Sequence, residues 1–406
     1  MTRALPVLAL LVACGGKQTT DTADAAIDCS AVALDIPSGR GELQGAWDDA
    51  GKRLVLFGGN QAVPVNCSPG ATDFVGQTWT WNDACDGFVK LDVGDAPKAR
   101  GRFAAALYAA RGRMIVHGGR FRDGDSGDYT LYGDVWAFDF ATDTWSKLSG
   151  ASGGPSKRFD HGGAVIGDTF YVFGGNESES GANIFPTNDT WAFDLVSNTW
   201  SEVGTSGDKP APRVYHSVTT DGSKLYVYAG GDENALFGSG FLDDTWAYSP
   251  ASDSWSEVNA GGGDAPLERI WPNIAWDETS GRIVLFGGHD GGDLGNNNEV
   301  WSLNPSNGNW QRMKKGDTYL TPANAVCDFP ADFTKIDPDS PERRSAATLV
   351  NARPGELLLF GGKTDCGNAN DVWSLDVASE TWTVRSRATE GEVCLRAYAE
   401  CESMCF

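Results

Sequence analysis

Short apolar runs recur along the chain, and a pair of glycines follows each of them, directly in five copies and after Ala229 in the fourth. Six runs of four residues have this form: Leu54–Phe57, Met114–His117, Phe170–Phe173, Leu225–Tyr228, Ile283–Phe286 and Leu357–Phe360. A continuous apolar run of strand length predicts a β-strand that is buried on both faces. Because no long stretch of the chain has helical periodicity, we expect an all-β fold.

Aromatic residues follow each glycine pair at a fixed spacing. An acid-x-Trp motif, with Gln77 in place of the acid in the first copy, contains Trp79, Trp136, Trp191, Trp246, Trp301 and Trp373. Nine residues after each tryptophan stand Phe88, Trp145, Trp200, Trp255, Trp310 and Trp382. The segments around these residues alternate apolar and polar positions and predict a third and a fourth strand in each repeat. We expect the two aromatics of a repeat to stack across these strands.

This pattern resembles the kelch repeat, and the resemblance extends from about Arg40 to Val384. It implies a six-bladed kelch-type β-propeller over residues 29–385, in which each repeat supplies one four-stranded blade. The 51 glycines and 15 tryptophans of the chain suit short strands, tight turns and an aromatic core. The resemblance indicates the fold far more than the function, because one fold supports many activities.

An arginine stands near the start of each innermost strand: Arg40, Arg100, Arg158, Arg213, Arg269 and Arg343. Each arginine could cross the glycine pair to the acid that opens the third strand, namely Asp134, Asp189, Asp244, Glu299 or Asp371. Such a pair would hold a strand edge. The alternative interpretation is a positive ring around the channel mouth that suits an acidic ligand.

One column varies among these fixed positions and is our first candidate binding surface. Two residues after each arginine stand Glu42, Arg102, Asp160, Tyr215, Trp271 and Ser345. Repeat scaffolds place binding diversity on positions that the fold leaves free. The long connections on the same face contain aromatic residues that lie outside the predicted strands, namely Phe121, Tyr129, Phe185, Phe237 and Phe241. These residues either pack on one another or form a surface with binding anchors.

The N-terminus has the features of a secretion signal. Arg3 precedes an apolar stretch, and the motif Leu11-Val12-Ala13-Cys14 resembles the lipobox of bacterial lipoproteins. The resemblance implies removal of residues 1–13, acylation of Cys14 and a flexible tether over residues 14–28. We therefore expect a lipid-anchored protein of the bacterial cell envelope, with the outer membrane favoured because Gly15 follows the cysteine. Whether the domain faces the periplasm or the outside is left open.

The net charge of −23 argues against nucleic acid and anionic lipid surfaces as partners. Eight cysteines remain besides Cys14, an even number that predicts disulfides in an oxidising compartment. They lie in the first repeat, the last repeat and the cysteine-rich tail at 386–406, where a propeller ring must close. We predict a pair between Cys327 and Cys366, while Cys67 could pair with a tail cysteine or, less readily, with Cys85.

The sequence contains no strong catalytic or metal motif, so no cofactor is predicted. It has four histidines, His117, His161, His216 and His289, and no cysteine in the middle repeats that could crosslink a tyrosine as in copper radical oxidases. The acidic run Asp123–Asp128 departs from the calcium-loop pattern. The expected function is a monomeric module that binds a protein or glycan through its long-loop face, while the short turns opposite should tolerate change. The alternative is a carbohydrate-active enzyme of the sialic-acid-isomerase type, with Glu42, Arg102 and Asp160 at the channel mouth.

Overall fold

The computed structural model describes residue 29 and residues 34–62, 72–180, 183–291, 295–316, 339–364 and 367–389. Within these ranges the regular structure is β-strand, with 3₁₀ turns at Ala109–Arg111 and Ala235–Phe237. Among the described residues, no helix has the length and apolar character needed to cross a membrane. The predicted all-β fold is confirmed.

Each repeat forms an antiparallel sheet of four consecutive main strands, named here from the inner to the outer strand. Sheet 1 contains Gln44–Asp48, Arg53–Phe57, Thr78–Asn82 and Gly87–Lys90. Sheet 2 contains Ala104–Tyr108, Arg113–His117, Val135–Asp139 and Thr144–Ser149. Sheet 3 contains Gly162–Ile166, Thr169–Asn176, Pro186–Asp194 and Thr199–Val203.

The second half of the chain repeats this order. Sheet 4 contains Ser217–Thr220, Leu225–Gly231, Phe241–Ser249 and Ser254–Asn259. Sheet 5 contains Asn273–Asp277, Arg282–Asp290, Gly295–Asn304 and Asn309–Lys314, with Arg269–Ile270 as an added strand. Sheet 6 contains Thr348–Arg353, Glu356–Phe360, Val372–Asp376 and Thr381–Ser386. Short ladders complete the loops, at Arg120–Phe121 with Thr130–Leu131 and at Arg344–Ser345, Lys363–Thr364 and Gly367–Asn368.

The sheets follow one another around a common axis, as the blades of a β-propeller do. Each inner strand lies against the inner strand of the next sheet, and the inner strand of sheet 6 returns to that of sheet 1. The described residues contain six such sheets, which is the number of sequence repeats. For the whole chain the blade count stays a prediction.

Aromatic contacts between neighbouring sheets hold this arrangement together. The outer-strand aromatic of each sheet packs on the residue that ends the apolar run of the second strand in the preceding sheet, with ring centroids 4.8–5.4 Å apart: Trp145 on Phe57, Trp200 on His117, Trp255 on Phe173, Trp310 on Tyr228, Trp382 on Phe286 and Phe88 on Phe360. The expected stacking within a repeat is therefore mostly replaced by stacking between repeats. The strand register explains this, because the outer aromatic lies opposite the residue two positions after the tryptophan, as Trp145 does opposite Phe138. Each aromatic pair between sheets adds about 0.5–1.5 kcal/mol beyond the area it buries.

The predicted arginine–acid pairs are present. Arg100 binds both oxygens of Asp134 at 2.7 and 3.2 Å. The same two contacts join Arg158 to Asp189 and Arg213 to Asp244, whereas Arg269 binds one oxygen of Glu299 at 2.8 Å and Arg40 reaches Gln77. In four sheets the acid also accepts a hydrogen bond from the indole of the tryptophan two residues later, at 2.7–2.8 Å, in Trp136, Trp191, Trp246 and Trp373. The acid-x-Trp motif thus ties the second-to-third-strand connection to the arginine that precedes the inner strand.

In the sixth copy the arginine that pairs with the acid lies one residue later than predicted. Arg344, not Arg343, makes the paired contact, with its two guanidinium nitrogens 2.5 and 2.8 Å from the oxygens of Asp371. Arg343 donates to the carbonyl of Asn296 in sheet 5 instead. The variable position of this copy is therefore Ala346 and not Ser345.

A disulfide between Cys29 and Cys85 ties the segment before sheet 1 to the turn before its outer strand. Asp35 adds a backbone bridge to Phe88 of that strand, 2.9 Å from N to O. This partner for Cys85 was not predicted from the sequence. The predicted pair of Cys327 and Cys366 lies outside the described residues, as do Cys67, Cys14 and the tail beyond residue 389.

Candidate functional site

The variable column forms a closed ring around the axis at the long-loop end. Its six members each donate a backbone N–H to the carbonyl of the member in the preceding sheet, over 2.8–3.3 Å: Glu42, Arg102, Asp160, Tyr215, Trp271 and Ala346. All six have positive φ angles between 48° and 62°, although none is glycine. Such a conformation costs energy and persists only where the surrounding structure imposes it. The backbone of these six residues therefore closes the channel at this end, while their side chains differ from copy to copy.

Side chains of this ring form a buried ion cluster. The Arg102 guanidinium lies between two carboxylates, with its Nε 2.9 Å from Glu42 Oε2 and its Nη1 3.1 Å from Asp160 Oδ2. Lys363 binds the other oxygen of Glu42, and Arg120 approaches the same carboxylate at 3.9 Å. We call these five residues the axial ion cluster.

The two carboxylates of the axial ion cluster differ in their protonation. Burial alone would raise the pKa of Glu42, but Arg102, Lys363 and Arg120 together hold it well below its usual value. Burial raises the pKa of Asp160 above its usual value, despite the attraction of Arg102 and Arg120. Glu42 is therefore fixed as an anion, whereas Asp160 is the carboxyl of the pair that takes up a proton more readily.

Two aromatics complete the ring. The Trp271 ring packs on Tyr215, with centroids 4.6 Å apart, and the Arg102 guanidinium lies 4.9 Å from the Trp271 ring. Trp271 Nε1 points at Asp160 Oδ1 across 3.5 Å. Glu42, Asp160 and Tyr215 are buried, and the Arg102 side chain is 10% exposed, so these four sequence-predicted site residues are brought together, but mostly beneath the surface.

Lys363 and Arg120 were not predicted from the sequence to be site residues. Both stand directly after a glycine pair, at a position that is Asn60, Arg120, Asn176, Gly231, His289 and Lys363 in the six copies, with Ala229 in place of the first glycine in the fourth. This position therefore varies in the same way as the column that was chosen. Arg120 also lies over the rings of Tyr129 and Phe159, at 4.0 and 4.7 Å, so its charge is held by aromatic faces as well as by Glu42.

The predicted loop aromatics separate into core and surface residues. Phe241 is only 7% exposed and packs with Ile184, Ala235 and other buried residues, so the expectation that it is a surface anchor is corrected. Phe121 is half-buried against Phe74. Phe185 and Phe237 are exposed, by 57% and 77%.

Phe185 and Phe237 lie on loops that support each other. Ile184, next to Phe185, and Ala235, two residues before Phe237, share one buried apolar cluster with Phe241. The 3₁₀ turn Ala235–Phe237 ends at Gly238, whose φ of 73° suits glycine. The two rings are thus exposed on loops with an ordered apolar base.

Three buried histidines line up between sheets 2 and 4. His117 Nδ1 and His161 Nε2 are 3.0 Å apart, and His216 Nε2 donates to the carbonyl of Phe173 at 3.2 Å. Burial, with nearby arginines, lowers the pKa of His117 and His216 to about 3 and that of His161 well below its usual value. Within the described ranges no three acidic, cysteine or histidine side chains converge as metal ligands would.

Several known proteins are similar to this chain. The KLHDC2/KLHL20/DRC7 Kelch-repeats domain matches residues 89–275. The leucine-zipper-like transcriptional regulator 1 homolog of Drosophila melanogaster is 26% identical over 68% of this chain and 26% of its own length. Kelch domain-containing protein 3 of Bos taurus is 27% identical over 66% of this chain and 64% of its own.

A third relative bears the name of an enzyme. N-(sulfonatooxy)prop-2-enimidothioate sulfolyase of Thlaspi arvense is 32% identical over 37% of this chain and 41% of its own length. In each of these three cases the match covers less than two thirds of the relative.

Proposed function

Because these matches support the kelch-repeat family, whose members suggest a protein-interaction scaffold, we propose that this chain binds a protein partner through its long-loop face, with Phe185 and Phe237 as anchors. The observation that carries the proposal is the exposure of these two phenylalanines, 57% and 77%, on loops that pack on each other. Aromatic rings bury large areas at little cost in side-chain entropy and are enriched at binding hot spots.

Charge around the anchors favours a partner with basic groups. Glu177 and Glu179 lie in the Phe185 loop, and Asp232 and Glu233 precede the Phe237 turn. Glu179 also accepts a backbone bond from Tyr129, which joins the loop of sheet 2 to that of sheet 3. An apolar centre with acidic residues around it resembles the core and rim of a protein interface. A glycan is the other ligand class, since exposed rings also stack on sugars.

Anchoring of the scaffold in a bacterial envelope is a separate part of the proposal. It rests on the Leu11–Cys14 motif, which lies outside the described residues. Acylation would place the domain at a membrane surface without any spanning segment, since two or more acyl chains give stable attachment. The partner would then be an envelope component.

Replacement of either exposed anchor is expected to weaken capture of a partner without lowering the melting temperature. Phe237→Ala and Phe185→Ala should each cost about 1–3 kcal/mol of binding, because each removes a ring that the fold does not bury. A partner is first recovered from envelope extracts with the soluble domain, and its Kd is then measured for each variant.

Val196→Ala is the matched control, because Val196 is 69% exposed on a short turn of the opposite face. It should leave both the Kd and the melting temperature unchanged. Phe241→Ala should instead destabilise the fold by about 3 kcal/mol or more, as a buried ring does. If Val196→Ala weakens binding and the two phenylalanine variants do not, the partner uses the opposite face.

Anchoring is tested by Cys14→Ser. We expect the wild type to incorporate a fatty-acid probe during growth and Cys14→Ser to incorporate none, because the sulfur that accepts the diacylglyceryl group is missing. The variant should also remain uncleaved or leave the acylated membrane fraction. Probe that persists on Cys14→Ser would refute the lipoprotein assignment while leaving the scaffold proposal intact.

A carbohydrate-active enzyme is the second candidate. Glu42 and Asp160 lie together at the end of an axial cavity of about 430 Å³, and Asp160 has a raised pKa, as a general acid requires. Glu42, by contrast, is held by three cations and is poorly suited to exchange protons. Turnover of a sugar that is lost in Asp160→Asn, with the fold retained, would favour this candidate over the scaffold.

A further inference from the structure

The axial cavity is closed at one end and open at the other. At the long-loop end it is bounded by Glu42, Arg102 and Asp160 of the axial ion cluster. At the short-turn end its lining residues Ala109 and Glu278 are exposed. The cavity therefore opens on the face opposite to the proposed protein-binding surface, and its volume of about 430 Å³ is that of a small-molecule site.

The wall becomes more apolar toward the open end. One position of the inner strands, opposite the second residue of the apolar run in each sheet, is small in most copies: Ala46, Ala106, Ala164, Thr219, Ala275 and Val350. The next position toward the open end is large and apolar in four copies, which we call the apolar collar: Trp47, Leu107, Val165 and Trp276. All of these residues line the cavity.

Part of the apolar collar faces the channel. Leu107 is 37% exposed although it lies within a strand, and Val165 and Trp276 are partly exposed. Exposed apolar side chains around the mouth of a cavity are typical of a site that takes up apolar groups.

The polar side chains of the wall are largely used within the fold. Ser217 donates to the carbonyl of Pro272, and Asn351 donates to the carbonyl of Trp276 over 3.0 Å, so each of them bonds one inner strand to the next sheet. Asn273 donates within sheet 5 in the same way. Between its two ends the cavity therefore offers mainly apolar contact.

The closed end has an excess of positive charge. The axial ion cluster contains the three cations Arg102, Lys363 and Arg120 and only two carboxylates, those of Glu42 and Asp160. One positive charge is in excess when both carboxylates are ionised, and the raised pKa of Asp160 increases this excess. A closed, poorly hydrated end of this charge favours an anionic group.

Arg102 is the cation of this cluster that lines the cavity, and its side chain is 10% exposed. Its contacts with Glu42 and Asp160 occupy at most three of its five N–H groups. A fourth N–H is directed at the Tyr215 hydroxyl. Within the described residues this leaves a guanidinium N–H for an acceptor that enters the cavity.

The acidic residues of the open end do not oppose such a ligand. The Asp221 carboxylate accepts hydrogen bonds from the Ser223 backbone and from the Tyr226 hydroxyl, so it is used within its own turn. Glu278 is exposed, where water and salt screen its charge.

We propose that the axial cavity binds an amphipathic organic anion, namely a monocarboxylate with an unbranched apolar chain. Its carboxylate would lie beside Arg102 at the closed end, where a charge-assisted hydrogen bond forms. Its chain would lie along the small residues of the wall and reach the apolar collar, which covers apolar surface that water otherwise contacts. Five residues separate Arg102 from Leu107, a distance of roughly 17 Å for extended chain. A cation of the same shape would meet the excess of positive charge.

Calorimetric titration of the purified full-length protein with decanoate in 150 mM NaCl tests this proposal, because such salt screens weak surface attraction over about 8 Å. We expect one site per chain. Decyltrimethylammonium, which has the same chain and a cationic head, should bind at least tenfold more weakly, although the protein has a net charge of −23. Octanoate should bind at least fourfold more weakly than decanoate, because at least one of its two missing methylenes is buried and each is worth about 0.8 kcal/mol.

Two positions of the lining separate the charge from the apolar contact. Gln44 lines the cavity in the inner strand of sheet 1 and is only partly buried, so its charge can be changed in both directions. Gln44→Lys should strengthen decanoate binding, and Gln44→Glu should weaken it at least tenfold. Leu107→Ser should weaken decanoate binding about fivefold and reduce the difference between decanoate and octanoate, because part of the apolar collar is missing.

Ser201→Lys is the matched control, since it adds the same charge as Gln44→Lys on the exposed outer strand of sheet 3. It should leave decanoate binding within twofold of the wild type. The proposal is overturned if decanoate gives no binding heat, if decyltrimethylammonium binds as tightly as decanoate, or if Gln44→Lys and Gln44→Glu change binding in the same direction. Phe185→Ala and Phe237→Ala should not alter decanoate binding, so the cavity and the protein-binding face are tested separately.

Discussion

Asp371→Asn is expected to lower the free energy of unfolding by about 3–5 kcal/mol. The Arg344 and Asp371 side chains are both 0% exposed and joined by two hydrogen bonds, the longer of them 2.8 Å. Asparagine keeps the shape of the carboxylate but removes its charge, and so replaces a charge-assisted two-point contact of the buried Arg344 guanidinium with a neutral one. Asp371 also accepts from the Trp373 indole at 2.7 Å, a contact that becomes weaker with a neutral acceptor. Urea denaturation followed by tryptophan fluorescence measures the loss.

The same change from aspartate to asparagine at other ion pairs distinguishes the effect of burial from the effect of pairing on the free energy of unfolding. Asp134 makes the equivalent contact with Arg100, but its side chain is 16% exposed, so Asp134→Asn should cost less than Asp371→Asn. Asp49 pairs with Lys52 at the surface, where both side chains are more than half exposed, and Asp49→Asn should have almost no effect. The double change Arg344→Met with Asp371→Leu should recover much of the loss, because an apolar pair needs no counter-charge. Equal effects at Asp371, Asp134 and Asp49 would mean that burial of the pair contributes nothing.

The sequence predicts the repeating parts of this protein well. Strand order, glycine pairs and arginine–acid contacts depend on residues that recur at fixed spacing, and each copy supports the interpretation of the others. The sixth copy shows the limit of this reasoning. Two adjacent arginines, Arg343 and Arg344, both fit the column, and only the approach of sheet 5 determines which of them binds Asp371.

The candidate site was predicted less completely, since it depends on contacts between copies. Phe237 and Phe241 lie four residues apart in one connection, yet Ile184 of the preceding sheet buries the second and not the first. The axial ion cluster joins residues of sheets 1, 2, 3 and 6, and no single repeat contains the pairing. The cavity between the inner strands is likewise a property of the ring, because its walls come from every copy.

His117, His161 and His216 should make the protein strongly acid-sensitive below about pH 6.5. Each is held neutral in the fold, with the pKa of His117 and His216 lowered to about 3, while an unfolded histidine titrates near 6.5. Above pH 6.5 both states are neutral and the histidines have no effect on stability. Below it the unfolded chain binds protons that the folded chain does not, so stability falls by about 1.4 kcal/mol per pH unit for each histidine until the folded pKa is reached.

The loss is largest if all three histidines act together, at about 4 kcal/mol per pH unit between pH 6.5 and pH 4.5. The stabilisation from the carboxylates that pair with arginine is lost at a lower pH. Burial would raise the pKa of Asp134, Asp189 and Asp244, but the arginines that bind them outweigh burial and lower these pKa values. This stabilisation is therefore lost only as the pH falls below about 4. Urea midpoints at pH 7.5, 6.0 and 5.0 therefore isolate the histidines. His216→Gln should remove about a third of the slope, whatever its effect on stability at pH 7.5, because glutamine does not titrate. A slope that is the same in His216→Gln and in the wild type would show that His216 takes up its proton equally in the folded and unfolded protein, and that its burial does not contribute to the response to acid.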